Sequence, residues 1–250
     1  MLAVISPAKK LNFDPVEGVG ESFPEMQDAA NELAGYAKKL SAAKLREMMK
    51  ISEDLAKLNK ERFAAFAEKS TSQNSKQAAF AFAGDTYQGL QIESFSKADL
   101  DYAQDHLRIL SGLYGALRPL DRIQPYRLEM GRKLKTKAGE TLYDFWGDRI
   151  AQALDIVADD IVVNLASNEY FKSTGKTLKA NVITPAFKED RGGDLKMIGF
   201  FAKKARGMMA RFIIKNRITR IEDLHGFDDE GYVFQPKLSD ENQLLFTRKS

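Results

Sequence analysis

The chain has 250 residues, 44% of them hydrophobic and 29% charged, with a formal net charge of +3; it is long enough to bury a sizeable core and sits at the upper edge of a single domain. It contains no cysteine and two histidines, His106 and His225, which excludes a disulfide framework, a thiolate nucleophile, a cysteine-ligated zinc or iron–sulfur site and a histidine-rich metal centre. With so small a net charge, the placement of the cations along the chain carries more information than their sum.

Residues 1–5 are apolar and stop at Ser6-Pro7, which predicts a short buried strand delivering the polar loop 6–10. This opening is too short for a secretory apolar region or a membrane span, so a soluble cytoplasmic protein with no membrane partner is expected. From 24 to 66 the spacing of Leu33, Ala37 and Leu40, then Leu45, Met48 and Met49, then Leu55, Leu58, Arg62 and Phe66 predicts two or three amphipathic helices. Ser41 and Ser52 are natural N-caps for the later ones. A polar connector at 70–76 leads to the apolar run 78–83, read as a buried strand ending at Gly84-Asp85. Ser96 with Asp99 forms a capping-box pattern that opens a helix through Leu100, Ala103, Leu107 and Leu110; His106 falls within it.

Residues 110–131, LSGLYGALRPLDRIQPYRLEMG, combine closely spaced glycines, Pro119 and Pro125, and the planar charged forks of Arg118, Arg122 and Arg127, with Arg132 just beyond. Arginine forks of this kind suit phosphate or carboxylate. Leu142, Phe145, Trp146, Ile150, Ala153 and Leu154 then predict an amphipathic helix, and 161–165 a core strand that ends among Asn164, Ser167, Asn168 and Glu169. Two further strands, 182–187 and 195–201, are joined by the turn Arg191-Gly192-Gly193-Asp194. A helix over 202–216 follows, with Lys204, Arg211 and Lys215 on one stripe beside Met208, Met209 and Phe212. His225, beside Gly226, reads as a helix-end residue. Residues 232–234 and 243–247 are read as strands that close the domain. The pattern as a whole predicts a single α+β domain over 1–250, a mixed β-sheet flanked by helices, with no repeat and no linker.

Two constellations point to function. The first is cationic: between Lys203 and Arg220 there are seven basic residues and no acidic one, a pattern suited to the sequence-independent attraction of a phosphate backbone. A solvated helix face is the other reading of that stripe. Ser111, Gly112, Leu113, Tyr114 and Gly115 resemble the hairpin of a helix-hairpin-helix module, whose glycine amides grip phosphate, although two residues separate the glycines where one is usual; a plain connecting loop would use similar residues. Tyr87, Tyr114, Tyr126 and Tyr170 are stacking candidates or core residues. The second constellation is enzyme-like. Lys9, Asp85, Asn164, Ser167 and Glu169 all follow strands, so their side chains can converge on one cleft, with Lys9 as an amine nucleophile and Asp85 or Glu169 handling protons. Satisfied ion pairs and caps are the alternative here. No P-loop, Rossmann fingerprint, Ser/His/Asp order or doubled Glu-x-x-His motif of the di-iron bundle type is present, so neither a cofactor nor a metal is expected.

SPAK (6–9), GDTYQGL (84–90), LSGLYGALRPLD (110–121), QPYRLEMG (124–131), NLASNEYF (164–171) and FAKKARGMMARF (201–212) together resemble the bacterial YaaA peroxide-stress family, over nearly the whole chain. The resemblance implies a cytosolic single-domain protein of that family's own α+β fold. It also implies limitation of hydrogen-peroxide damage and intracellular iron, and DNA binding through a positively charged cleft and a helix-hairpin-helix-like element. Carried onto this sequence, the hairpin falls on 111–115, and the cleft draws on Lys9, Arg118, Arg127, Lys203, Lys204, Arg206 and Arg211. The expected partner is DNA without strong sequence preference; an enzyme acting on a small anionic or damaged-nucleotide ligand is the alternative.

Overall fold

The first apolar run forms β1 (Leu2–Ile5), with all four residues buried. The structure, a computed structural model, describes residues 1–249. Three helices follow, α1 (Gln27–Lys38), α2 (Ala42–Met49) and α3 (Glu53–Ala65). Ser41 and Ser52 cap the last two as predicted: their hydroxyls accept the Lys44 and Leu55 amides at 3.2 and 3.4 Å, filling donors that the first helical turn leaves unpaired. In α3 the buried row differs from the predicted one. Leu55 and Leu58 are 39% and 38% exposed, while Ala56, Asn59 and Phe63 face inward. Both rows have helical spacing, and the buried Asn59 is half satisfied: its amide nitrogen donates to the Leu55 carbonyl at 2.7 Å, while its Oδ1 has no partner among the described residues.

The two-residue strand β2 (Lys76–Gln77) leads into α4 (Ala78–Ala81). A strand was expected over 78–83; alanine at three of the four α4 positions favours a helical turn, and only Phe82 returns to an extended bridge, opposite Leu11. Next come α5 (Asp85–Leu90) and α6 (Lys97–His106). The Ser96–Asp99 capping box is present, with the Asp99 amide donating to Ser96 Oγ at 3.2 Å and the Ser96 amide to Asp99 Oδ2 at 3.0 Å.

The predicted continuation of α6 to Leu110 is replaced by β3 (Leu107–Ser111), which lies parallel to β1 with Leu107, Arg108 and Ile109 opposite Ala3, Val4 and Ile5. The short segment LRILS fits either periodicity, and the pairing with β1 decides it. β4 (Gly115–Leu117) returns antiparallel to β3, so residues 111–115 form a β-hairpin and not a helical hairpin. β5 (Arg122–Ile123) pairs with β2.

Gly147, at φ +49°, divides the predicted helix 142–154 into α7 (Leu142–Trp146) and α8 (Arg149–Val157). β6 (Ile161–Leu165) matches its prediction and precedes α9 (Asn168–Phe171). β7 (Asn181–Arg191) and β8 (Asp194–Lys196) form the expected hairpin, turning on Gly192 and Gly193 at φ +67° and +96°. Residues 199–201, expected in that second strand, instead begin α10 (Gly199–Lys215). β9 (Val233–Phe234) and β10 (Gln243–Lys249) end the described chain.

The strand order is β4-β3-β1-β6-β7-β10-β9, with β8 on β7. The inner five strands are mutually parallel, while β4, β8 and β9 are antiparallel additions; the sheet is mixed and helix-flanked, the α+β class expected. Parallel strands must be covered on both faces, and α10 supplies much of one cover. It crosses α5 at very short range: a Cβ added to Gly207 would lie 1.8 Å from the Thr86 carbonyl oxygen, and one added to Gly89 2.0 Å from that of Lys204. Among the described residues, no helix is long and apolar enough to cross a membrane.

Candidate functional site

β1 and β6 lie side by side, Ile5 opposite Leu165, and both run out at the same edge of the sheet. Ligands of parallel α/β sheets commonly bind outside such carboxyl ends. Here the emerging loops are tied together: the Ser167 amide donates to Ser6 Oγ at 2.8 Å, and the Tyr87 hydroxyl donates to the Ser6 carbonyl at 3.1 Å. Between them lies a cavity of about 450 Å³ whose lining includes Lys9, Lys10, Asp85, Glu129, Glu169, Lys203 and Arg206, with Tyr87 and Tyr170 as aromatic walls.

The α5–α10 crossing places the cations. Lys203 and Arg206 are three residues apart, so they share the face of α10 that looks into the cavity. Lys203 lies 3.6 Å from Asp85. Among the described residues Arg206 has no hydrogen-bond or ion-pair partner, and burial pushes its pKa down, the mark of a charge whose lost hydration is not replaced. Across the cavity, Glu129 is 3% exposed. Its Oε1 lies 3.0 Å from Arg127, 3.6 Å from Arg132 and 3.8 Å from Lys9, yet its Oε2 and the Arg132 Nε are buried without hydrogen-bond partners. Glu169 accepts the Gly131 amide at 2.9 Å. Burial raises the Tyr87 and Tyr170 pKa values well above the ordinary phenol value, Tyr126 adding to both and the Glu169 and Glu129 charges adding at Tyr170; both phenols therefore remain protonated at neutral pH.

Of the residues singled out in the sequence, Lys9, Asp85, Ser167, Glu169, Lys203 and Arg206 meet here, with Tyr87 and Tyr170. Asn164 lies outside the lining, its Oδ1 accepting the Ala166 amide at 3.1 Å, and the remaining candidates do not line the cavity either. In the hairpin, Ser111 Oγ accepts the Leu113 and Tyr114 amides at 3.2 and 2.9 Å and bonds the Tyr126 hydroxyl at 2.6 Å, and all five residues from Ser111 through Gly115 are buried. Its glycines serve packing: a Cβ at Gly112 would sit 2.2 Å from the Leu128 carbonyl oxygen, and Gly115 (φ +74°) lies against Met26 and Trp146. Amides already bonded and out of contact with solvent have nothing to offer a phosphate. Arg118 is a structural clamp, bonded to Asp121 at 3.0 Å and the Phe23 carbonyl at 2.8 Å. Arg127 reaches the cavity only through Glu129. Tyr114 and Tyr126 are core residues.

The basic stretch of α10 contains no acid of its own, but acids arrive from elsewhere. Lys204 pairs with Glu230, Arg211 with Asp229 at 2.7 Å, and Arg217 with Asp99 at 2.9 Å. Glu129 escaped the sequence reading, although a lone glutamate between Arg127 and Arg132 in QPYRLEMGR (124–132) was the available signal.

The whole chain has relatives. Residues 1–238 match the family described as Peroxide stress protein YaaA. The chain belongs to this family. A UPF0246 protein of Dinoroseobacter shibae is 53% identical, covering 99% of this chain and 95% of its own length. One from Maricaulis maris is 54% identical, covering 99% and 96%, and one from Roseobacter denitrificans is 50% identical, covering 99% and 98%. The YaaA-family identity thus extends over the strand-end cavity and all the segments that build it.

Proposed function

We propose that this peroxide-stress protein engages the phosphate backbone of DNA, largely without sequence preference, at the rim of the strand-end cleft, through Lys9, Lys10, Lys203 and Arg206. The observation that carries the reading is Arg206, a desolvated guanidinium in the cleft with no partner among the described residues, since such a group gains most from an incoming anion. Lys9 and Lys203, with side chains 63% and 58% exposed, flank it at the mouth and hold their carboxylates loosely. The footprint is smaller than the sequence suggested, because Arg118, Arg127, Lys204 and Arg211 are committed to internal pairs.

Fluorescence anisotropy with duplex and bubble DNA at several salt concentrations tests this. Four phosphate contacts predict a log Kd against log salt slope of about 3.6, and Lys203→Gln with Arg206→Gln should reduce it to about 1.8. An unchanged slope refutes the assignment. Limitation of oxidative DNA damage and of intracellular iron belongs to the same proposal; its readouts are survival and iron content of peroxide-challenged cells carrying that double variant.

One observation favours a second reading. The unpartnered Glu129 Oε2 is a buried acceptor beside the Lys9 amine, a pairing suited to a small anionic or damaged-nucleotide substrate with Lys9 as nucleophile. The carboxylate placed to serve Lys9 is then Glu129, since Asp85 faces Lys203 and Glu169 binds the Gly131 amide. Borohydride trapping of an aldehydic substrate on Lys9, abolished in Lys9→Met while DNA affinity changes little, would support it. No adduct in the wild-type protein would rule it out.

A further inference from the structure

On a different part of the surface, a cavity of about 760 Å³ lies between α3 and the β2–β5 ladder, within the range usual for small-molecule sites. It shares no residue with the strand-end cleft. Lys76 enters it from β2, where its backbone is fixed by pairing with Ile123. The residue is 8% exposed, and among the described residues its amine has no hydrogen bond or ion pair; the charges of Asp14 and Glu93 act on it, but burial outweighs them and lowers its pKa. Arg62, half-buried on α3, also lines the cavity with no partner among the described residues, and burial lowers its pKa too. A partly desolvated cation without a hydrogen-bond acceptor is costly, and an anion entering between Lys76 and Arg62 would supply one to both.

The rest of the lining gives the shape of that anion. Phe13, Val16, Leu58 and Phe66 provide an apolar wall, and Leu58, 38% exposed on a helix whose core row lies elsewhere, gains burial only if something covers it. Arg122 also lines the cavity but is committed to Ser75 Oγ at 2.9 Å and Glu21 at 2.8 Å. The one carboxylate in the lining is Glu61, exposed beside Arg62. We propose that this cavity is a second ligand site that binds an amphipathic organic anion, its carboxylate, phosphate or sulfonate head between Lys76 and Arg62 and its aromatic or aliphatic body against Leu58 and Phe66. The inference stands independently of DNA binding at the cleft.

The test is a fluorescence titration of the full-length protein with 1-anilinonaphthalene-8-sulfonate, alongside N-phenyl-1-naphthylamine, the same body without the charge. Saturable binding of the anion is expected, weakened about tenfold by Lys76→Met and by Arg62→Gln, a loss of about 1.4 kcal/mol each; the neutral probe should bind more weakly and respond little to either variant. Arg206→Gln, in the other cleft, should leave the anion's affinity unchanged. The proposal is overturned if the anion shows no saturable binding, if both probes bind equally well, if both substitutions leave affinity within about twofold, or if Arg206→Gln removes the signal. Should Lys76→Met fail to fold, Arg62→Gln on the partly exposed helix face carries the same comparison.

Discussion

Replacing Gly207 with alanine places one methyl group at the tightest point of the molecule. The added Cβ would stand 1.8 Å from the Thr86 carbonyl oxygen and 2.8 Å from the Leu90 amide nitrogen, and both are backbone atoms that no rotamer change can move away. Restoring an ordinary contact near 3.4 Å requires α5 and α10 to part by about 1.5 Å. Overpacking of this kind costs about 3 kcal/mol at the upper end, and alanine returns about 1 kcal/mol in helix propensity, for a net loss of about 2 kcal/mol. For a chain of this size that is a fall in melting temperature of about 4–8 °C. Gly35 in α1, with nothing within 4 Å of its added Cβ, is the control: Gly35→Ala should stabilise by about 0.5–1 kcal/mol. Because Arg206 adjoins the crossing, Gly207→Ala should also weaken DNA binding, whereas Gly35→Ala should not. Differential scanning calorimetry of both variants decides the matter, and a melting temperature for Gly207→Ala equal to or above the wild type would refute the close-crossing argument.

Ser111→Ala removes the acceptor of two hairpin amides and the partner of the Tyr126 hydroxyl; unfolding in urea should show a loss of about 2–4 kcal/mol, with DNA affinity of the folded protein unchanged, whereas a phosphate-gripping hairpin would lose affinity at preserved stability. Glu129→Gln removes the negative charge shared by Arg127, Arg132 and Lys9, so it should lower stability yet tighten DNA binding by about three- to tenfold, equivalent to about 0.7–1.4 kcal/mol; anisotropy showing weaker binding would contradict the cleft electrostatics. Glu230 has its pKa lowered below the ordinary 4.5, first by its hydrogen bond to Lys204, against a desolvation penalty, and then by Arg248. A depressed carboxylate contributes stability that is present above its unfolded pKa and lost as pH falls through the folded value. Melting temperature should therefore drop on acidification below about pH 4.5 by less in Glu230→Gln than in the wild type, and equal pH profiles would remove Glu230 from the account.

Local chemistry was legible wherever it acts within a few residues. The Ser96–Asp99 box, the Ser41 and Ser52 caps, the apolar strands at 1–5 and 161–165 and the glycine turn at 192–193 depend on neighbours in sequence, and the chain alone determined them. So was the family, because its long motifs occur in order from end to end. What the sequence left open were choices between equally good local patterns. Leu107–Ser111 became a strand because β1 offered unpaired backbone at its side, and α3 buried Ala56 and Phe63, with Leu55 and Leu58 left outward, because its neighbours packed on that face. The same holds for the charges. Lys204 and Arg211 looked free in a stretch without acids, but Glu230 and Asp229 reach them in the fold, while Arg206 alone among the candidate cleft arginines has no partner among the described residues. Sequence thus determined which residues carry charge and where chain direction changes; only the tertiary structure decided which charges remain uncompensated, because an ion pair depends on distance in space and not on separation along the chain.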